Sequence, residues 1–161
     1  MKFYIIEDAY LDHLRAVDSK VPNSVGVGYK QKKPYLGIVL NVEGTDFLAP
    51  LSSPKPSHKS SDKTIFMLHD RSDPNVVLGI IALRYMVPAP ARVITYLDFS
   101  TQDPAYEILL QKQYEYIKTK WGKIQARAEK LYNDVVVDPK PHLKGATCDF
   151  QKLILQSATY L

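Results

Sequence analysis

Apolar and polar positions change rhythm about two-thirds of the way along this 161-residue chain, from short alternating runs to a helical period. Lys2 to Ile6 reads as a strand. Tyr10, Leu11, Leu14 and Val17 then recur at spacings of three and four, which predicts a short helix capped by Asp8 and ending near Ser19. Residues 19–34 hold Pro22-Asn23-Ser24, Gly26, Gly28 and the cluster Lys30-Gln31-Lys32-Lys33-Pro34, the composition of an exposed basic loop. Tyr35–Val42 and Thr45–Leu51 are apolar β-formers on either side of Glu43-Gly44, which predicts a hairpin. The second of these strands runs into Ser52-Ser53-Pro54-Lys55-Pro56, where two prolines forbid further pairing and leave Ser52, Ser53 and Lys55 at a strand end.

Thr64–His69, Val76–Leu83 and Arg92–Phe99 each read as strands between Asp-Pro and Pro-Ala-Pro breakers. From Pro104, suited to a first helical turn, Leu110, Tyr114, Ile117, Trp121, Ile124, Ala128, Leu131 and Val135 follow the helical period. That predicts one long helix, or two joined near Gly122. A last helix begins after Thr147 or Asp149 and carries Phe150, Leu153, Ile154 and Leu155. Strands first and helices last point to a single α+β domain, residues 1–161, on a largely antiparallel sheet.

Charge adds a preference for a partner. Lys and Arg exceed Asp and Glu by 21 − 17 = +4 and the pI is near 9.0, which favours anionic partners and nucleic acid among them. The single Cys148 excludes an internal disulfide and fits a reducing cytoplasm. The N-terminus meets acid after four apolar residues, too few for a signal segment, and no stretch has the length of a membrane span. His13, His58, His69 and His142 are scattered with no metal-ligand spacing, so no metal and no cofactor is expected. Asp134 and Asp138 bracket three valines before Pro139, the look of a frayed helix end. Cys148, beside an apolar helix, reads as core.

Two constellations carry chemistry. At about 100° per residue, Lys112, Tyr116, Lys120, Lys123, Arg127 and Lys130 share one side of the long helix. Such a stripe is either a solvated face or a phosphate-binding wall, and a kink at Gly122 would break its register. The second is Ser52-Ser53-Pro54-Lys55 with His58 near in sequence. It lacks a Gly-x-Ser-x-Gly elbow, and Ser-Pro pairs are also ordinary turn formers. Hydroxyl, phenol and ammonium groups of this kind suit metal-free RNA cleavage, in which the substrate's own 2′-hydroxyl attacks phosphorus and the protein positions charge and protons. A non-catalytic RNA-binding module, or a hydrolase acting through Ser53, would use the same inventory.

Met1-Lys2-Phe3-Tyr4, Lys20-Val21-Pro22-Asn23, Lys33-Pro34-Tyr35-Leu36-Gly37-Ile38-Val39, Leu48-Ala49-Pro50-Leu51-Ser52-Ser53-Pro54-Lys55 with His58, and Thr147-Cys148-Asp149-Phe150 together resemble the ToxN/AbiQ family, in order and across nearly the whole chain. The resemblance implies a bacterial, cytoplasmic endoribonuclease toxin of a type III toxin-antitoxin system, active in abortive phage infection and inhibited by a small RNA pseudoknot that it processes from a repeat precursor. It implies a twisted, mainly antiparallel sheet with surrounding helices, similar to the Kid and MazF toxins, and closed protein-RNA assemblies. Carried over by motif, the active site falls on Tyr10, Tyr29, Lys33, Ser52, Ser53 and Lys55. Ser53 and Lys55 hold the scissile phosphate, Lys33 assists the attacking hydroxyl or the developing charge, and Tyr10 and Tyr29 orient or stack nucleotides. Lys33 is preferred over Lys32 because it directly precedes Pro34. Ser52 stands where many relatives carry threonine, which keeps the hydroxyl. Lys30, Lys32, His58, Lys112, Tyr116, Lys120, Lys123 and Arg127 are the expected RNA-binding residues.

Overall fold

The structure is a computed structural model and describes residues 1–23 and 35–161. Its elements run β1 (Phe3–Ile6), α1 (Asp8–Arg15), β2 (Leu36–Val42), β3 (Thr45–Ser52), β4 (Phe66–His69), β5 (Val77–Ile81), β6 (Val87–Pro88), β7 (Ile94–Tyr96), α2 (Pro104–Tyr132) and α3 (Phe150–Ser157). The strands form one sheet ordered β4-β5-β3-β2-β1-β7, with β6 paired to β3 off this path. Every pairing among the described residues is antiparallel. The fold is α+β.

The β2–β3 hairpin turns where the sequence predicts it. Glu43 (φ 49°) and Gly44 (φ 79°) both adopt left-handed backbone, the geometry that matches the twist of a two-residue hairpin, and Asn41 Nδ2 donates to Asp46 Oδ1 across it at 2.9 Å. Beyond the turn, β3 keeps β2 along one edge from Thr45 to Pro50. Its other edge is divided: Phe47 and Leu48 pair with β6, and Leu51 and Ser52 pair with β5. That division carries the end of β3 out between β2 and β5.

Helix α2 is continuous through Gly122, which resolves the alternative of two helices in favour of one. Leu110, Ile117, Ile124, Ala128 and Leu131 are buried along one face, and the helix packs against β2, β4 and β5. It ends in a π-helical turn over Asn133–Val137, not in a frayed end, with the Lys130 ammonium 2.7 Å from Asp134 Oδ1. In α3 the Asp149 carboxylate accepts from Lys152 N at 3.1 Å, a side-chain cap. Phe150 then lies stacked on Tyr132 and edge-on to Phe47, joining both helices to the sheet.

Local expectations change: the strands expected over Arg92–Phe99 and Val76–Leu83 narrow to Ile94–Tyr96 and Val77–Ile81, with 3-10 turns at Ala91–Val93, Phe99–Thr101 and Leu83–Tyr85. Glu7, not Asp8, occupies the N-cap position of α1 and makes no side-chain cap bond. Asp8 is the first helical residue, where a carboxylate still gains from the helix dipole. The helix stops at Arg15, short of Ser19, and β4 starts at Phe66, with Thr64 and Ile65 in the approach to it.

Candidate active site

The end of β3 is placed by its neighbours. Ser52 pairs with Ile80, and Ala82 N donates to Pro50 O at 2.9 Å, so β5 holds the strand up to its last residue. Pro54 and Pro56 then turn the chain away. Lys55 and His58 close the next turn twice, Lys55 N donating to His58 Nδ1 at 3.0 Å and His58 N donating to Lys55 O at 2.9 Å.

Two clefts meet at this strand end. The larger, about 200 Å³, is lined by Ser52, Lys55, His58, Arg84, Tyr35 and Pro22 among others. Its walls are pinned from outside: Tyr35 Oη donates to Tyr85 O at 2.7 Å, and Arg15 donates to Val21 O (3.0 Å) and Pro22 O (2.5 Å). The smaller, about 140 Å³, shares Leu36, Leu51 and Ser52 with the first and adds Ser53. The Ser52 and Ser53 hydroxyls and the Lys55 ammonium make no hydrogen bond or ion pair among the described residues, so each is available to a ligand.

Arg84 is the residue the sequence reading missed. Its guanidinium lies over the Tyr85 ring at 5.0 Å, with Nη1 3.3 Å from Thr64 Oγ1 and 3.6 Å from Asp62 Oδ2. Its buried Nε has no hydrogen-bond partner among the described residues. Cys148 N donates to Arg84 O at 2.9 Å and fixes the backbone beneath it. A lone cation within the apolar run from Val76 to Pro88 was the available signal. Burial, then the Arg84 and Lys55 charges, hold His58 below its ordinary pKa, with Asp62 opposing. Because Nδ1 accepts the Lys55 N–H, the hydrogen-bond pattern assigns the ring's proton to Nε2.

The other expected residues fall differently. Tyr29, Lys30, Lys32 and Lys33 lie outside the described residues. Tyr10 must be corrected: it is fully buried, its hydroxyl donating to Pro88 O at 2.5 Å and lying 2.8 Å from Ser157 Oγ, so it offers no face for a nucleotide. It ties α1 and α3 to β6 instead. The helical stripe does face one way, but part of it is already engaged. Arg127 Nη1 donates to Ile65 O at 2.9 Å and its guanidinium covers the Phe66 ring at 4.8 Å. Lys112 bonds Asp70 Oδ2 at 3.2 Å; that carboxyl, which also accepts from the Ser72 hydroxyl and N–H, is held down at about 2. Lys130 is paired with Asp134. Lys123 remains exposed, and the Lys120 ammonium lies 5.9 Å from the Tyr116 ring centre.

Thr147-Cys148-Asp149-Phe150 is structural. Asp149 N donates to the buried carboxylate of Asp18 at 2.7 Å, and Cys148 is fully buried with its thiol pushed up to about 12 by that burial. Among the described residues no three His, Cys, Asp or Glu side chains are grouped as metal ligands, and no helix is long and apolar enough to cross a membrane.

The antiparallel sheet brings two serines and a lysine to one strand end, and the chain as a whole has counterparts among known proteins. Residues 2–157 match the family described as "Toxin ToxN, type III toxin-antitoxin system". The chain belongs to this ToxN toxin family. It is 36% identical over 157 residues to Endoribonuclease ToxN of Pectobacterium atrosepticum, covering 95% of this chain and 90% of that one. It is 32% identical over 160 residues to Endoribonuclease ToxN of Bacillus thuringiensis subsp. kurstaki, covering 94% and 80%. A solved structure described as "A processed non-coding RNA regulates a bacterial antiviral system" superposes with a TM-score of 0.88 at 32% identity, over 99% of both chains. A second, described by selective toxin inhibition by a non-coding RNA pseudoknot, superposes with a TM-score of 0.84 at 32% identity, over 99% of this chain and 96% of that one.

Proposed function

We propose that this chain is an endoribonuclease toxin of a type III toxin-antitoxin system that cuts RNA without metal, through attack of the substrate's 2′-hydroxyl on the adjacent phosphorus. The O2′–P bond forms and the P–O5′ bond breaks, one proton leaves O2′ and one reaches O5′. The products carry a 2′,3′-cyclic phosphate and a 5′-hydroxyl. The observation that carries this reading is the strand end itself: two hydroxyls and an ammonium that make no hydrogen bond or ion pair among the described residues stand there, and Arg84 lines the larger of its two clefts with Ser52 and Lys55. Ser53 and Lys55 hold the scissile phosphate, and Arg84 adds a second cation for charge developing on its oxygens. Lys33 assists the attacking hydroxyl, and Tyr29 stacks a flanking nucleotide. The toxin acts in the bacterial cytoplasm in abortive phage infection, and its partner is a small RNA pseudoknot with which it forms a closed protein-RNA assembly. A sheet platform similar to that of the Kid and MazF toxins belongs to the same reading.

The test is cleavage of RNA by the purified protein in excess EDTA, with the product ends analysed. Cyclic phosphate termini that disappear in Ser53→Ala support the proposal. Cutting that requires added metal overturns the mechanism. Binding without cutting would mark an RNA-binding module, and a covalent adduct on Ser53 a hydrolase.

His58 enters this scheme as a donor, not as a proton carrier. Protonation would place a second N–H against the Lys55 N–H, and both neighbouring cations oppose it. Nε2–H therefore points a neutral hydrogen bond at the bound RNA. His58→Ala should slow cleavage roughly ten- to a hundredfold, the worth of one hydrogen bond to a charged group. His58→Gln, which keeps an N–H in a similar place, should recover much of the rate. The pH–rate profile should keep its shape in both variants; loss of an acid limb would make His58 the proton carrier after all.

Of the stripe, Lys120 and Lys123 are the members free to meet phosphate. Reversing both to Glu should weaken RNA binding and flatten the slope of log affinity against log salt by about 1 to 2. An unchanged slope would leave the stripe a solvated face. Arg127→Glu is a poor probe, because it removes a donor from Ile65 O and a cation from the Phe66 ring.

A further inference from the structure

Ser53 opens onto the smaller cleft, and the phosphate-holding scheme makes no use of that space. Tyr106, Leu109 and Gln113 reach it from successive turns of α2, at spacings of three and four that put them on one helix face. Gln113 is buried and fixed, its Nε2 donating to Leu78 O at 2.9 Å. A Cβ placed on Gly79 would stand 2.9 Å from both Gln113 Nε2 and Ser52 O, so this helix face closes directly against the backbone of the strand end.

The two clefts differ in chemistry. Lys55 and Arg84 line the larger, whereas no cation lines the smaller among the described residues. Its walls combine the apolar Leu36, Leu51, Leu78, Tyr106 and 37%-exposed Leu109 with the polar side chains of Ser52, Ser53 and Gln113. Buried tyrosine hydroxyls normally find a partner, yet that of half-buried Tyr106 makes no hydrogen bond among the described residues. Apolar cavities of about 150 Å³ accept a benzene-sized ring. An open cleft of about 140 Å³ accepts a flat ring whose edge projects outward.

We propose that this cleft is a nucleobase subsite: it receives the base next to the cleaved phosphate, one ring face against Leu109 and Tyr106, with the Tyr106 hydroxyl hydrogen-bonding the base edge. The assignment rests on Ser53 and Lys55 holding that phosphate, since Ser53 also lines this cleft. It makes α2 the element that sets base preference at one position. Stacking alone tolerates every base, and the hydroxyl supplies the discrimination.

The test uses short RNAs that carry each of the four bases, or an abasic nucleotide, at each position flanking one cleavable bond. Leu109→Ala should lower kcat/KM for the favoured base roughly tenfold, the scale of one stacking contact, and leave the abasic substrate cleaved as by the unmodified protein. Tyr106→Phe should keep the stacking and narrow the difference among the four bases at that one position. Matching thermal melts establish that both variants are folded. Equal slowing of every substrate, the abasic one included, would overturn the proposal, as would an unchanged base profile. Failure of the phosphate-holding reading looks different: Ser53→Ala would still cut, whatever the base profile.

Discussion

Ser53→Ala should lose RNA cleavage by about 10²–10³-fold, the usual cost of removing one preorganised donor from developing transition-state charge, while its melting temperature and RNA affinity stay near those of the unmodified protein. The stability half of this expectation follows from exposure: Ser53 lies outside the core and its hydroxyl has no partner among the described residues. The catalytic half follows from how the residue is held. Ser53 and Lys55 each precede a proline, and a residue before proline is confined to extended backbone. Ser53 also follows the last paired residue of β3 directly, so its backbone is fixed on both sides before RNA arrives. A donor fixed in advance loses little entropy when the phosphorus oxygens gain charge, so its removal should appear in kcat more than in KM. Ser53→Thr keeps the hydroxyl and should retain cutting. Lys55→Met removes a charge that acts on bound RNA as well as on the transition state, so both constants should suffer. A Ser53→Ala variant that cuts at the normal rate would remove the proposed centre; one that no longer binds would make Ser53 a binding residue only.

Most elements could be read from period and punctuation, because those signals are local. The hairpin needs alternation around Glu43-Gly44, and α2 needs only its apolar period after Pro104. β6 was missed for the opposite reason. Two residues, Val87 and Pro88, hold no period, and they form a strand only because β3 leaves part of its edge open to them. The site divides in the same way. The prolines announce a strand end at Ser52, but that Arg84 faces it depends on β5 and its following turn folding back beside β3. Tyr10 is instructive. Its spacing with Leu11 and Leu14 already placed it on the apolar face of α1, and that helical pattern, not the nucleotide-stacking role carried over by resemblance, describes where it lies. For the stripe, helical arithmetic gave the direction of Lys112 and Arg127 correctly. It had no means of showing that Asp70 and the Ile65 carbonyl stand opposite them.

Gly37→Ala should destabilise the protein by roughly 3 kcal/mol, the upper range for overpacking a well-filled interior, and lower its melting temperature by about 6–12 °C for a chain of this length. Gly37 is hemmed in on both sides, opposite Tyr4 of β1 and Pro50 of β3. A Cβ there would lie 2.8 Å from the Ala49 carbonyl carbon and closer still to its oxygen. Both are backbone atoms of a paired strand, so no side-chain rotation can relieve the contact and the two strands must separate. Separation has a second consequence. The same pairing leads three residues later to Ser52, so the variant should lose cleavage even at temperatures where it stays folded, through displacement of the strand end. Gly122→Ala is the matched control. Gly122 is exposed in α2 with no described residue within 4 Å of an added Cβ, and alanine there should raise stability by about 0.5–1 kcal/mol through helix propensity. Thermal melts and cleavage rates of the two variants, measured side by side, decide the matter. If Gly37→Ala melts with the unmodified protein, the close approach of β2 to β3 at Ala49 is wrong, and the placement of Ser52 that depends on it falls as well.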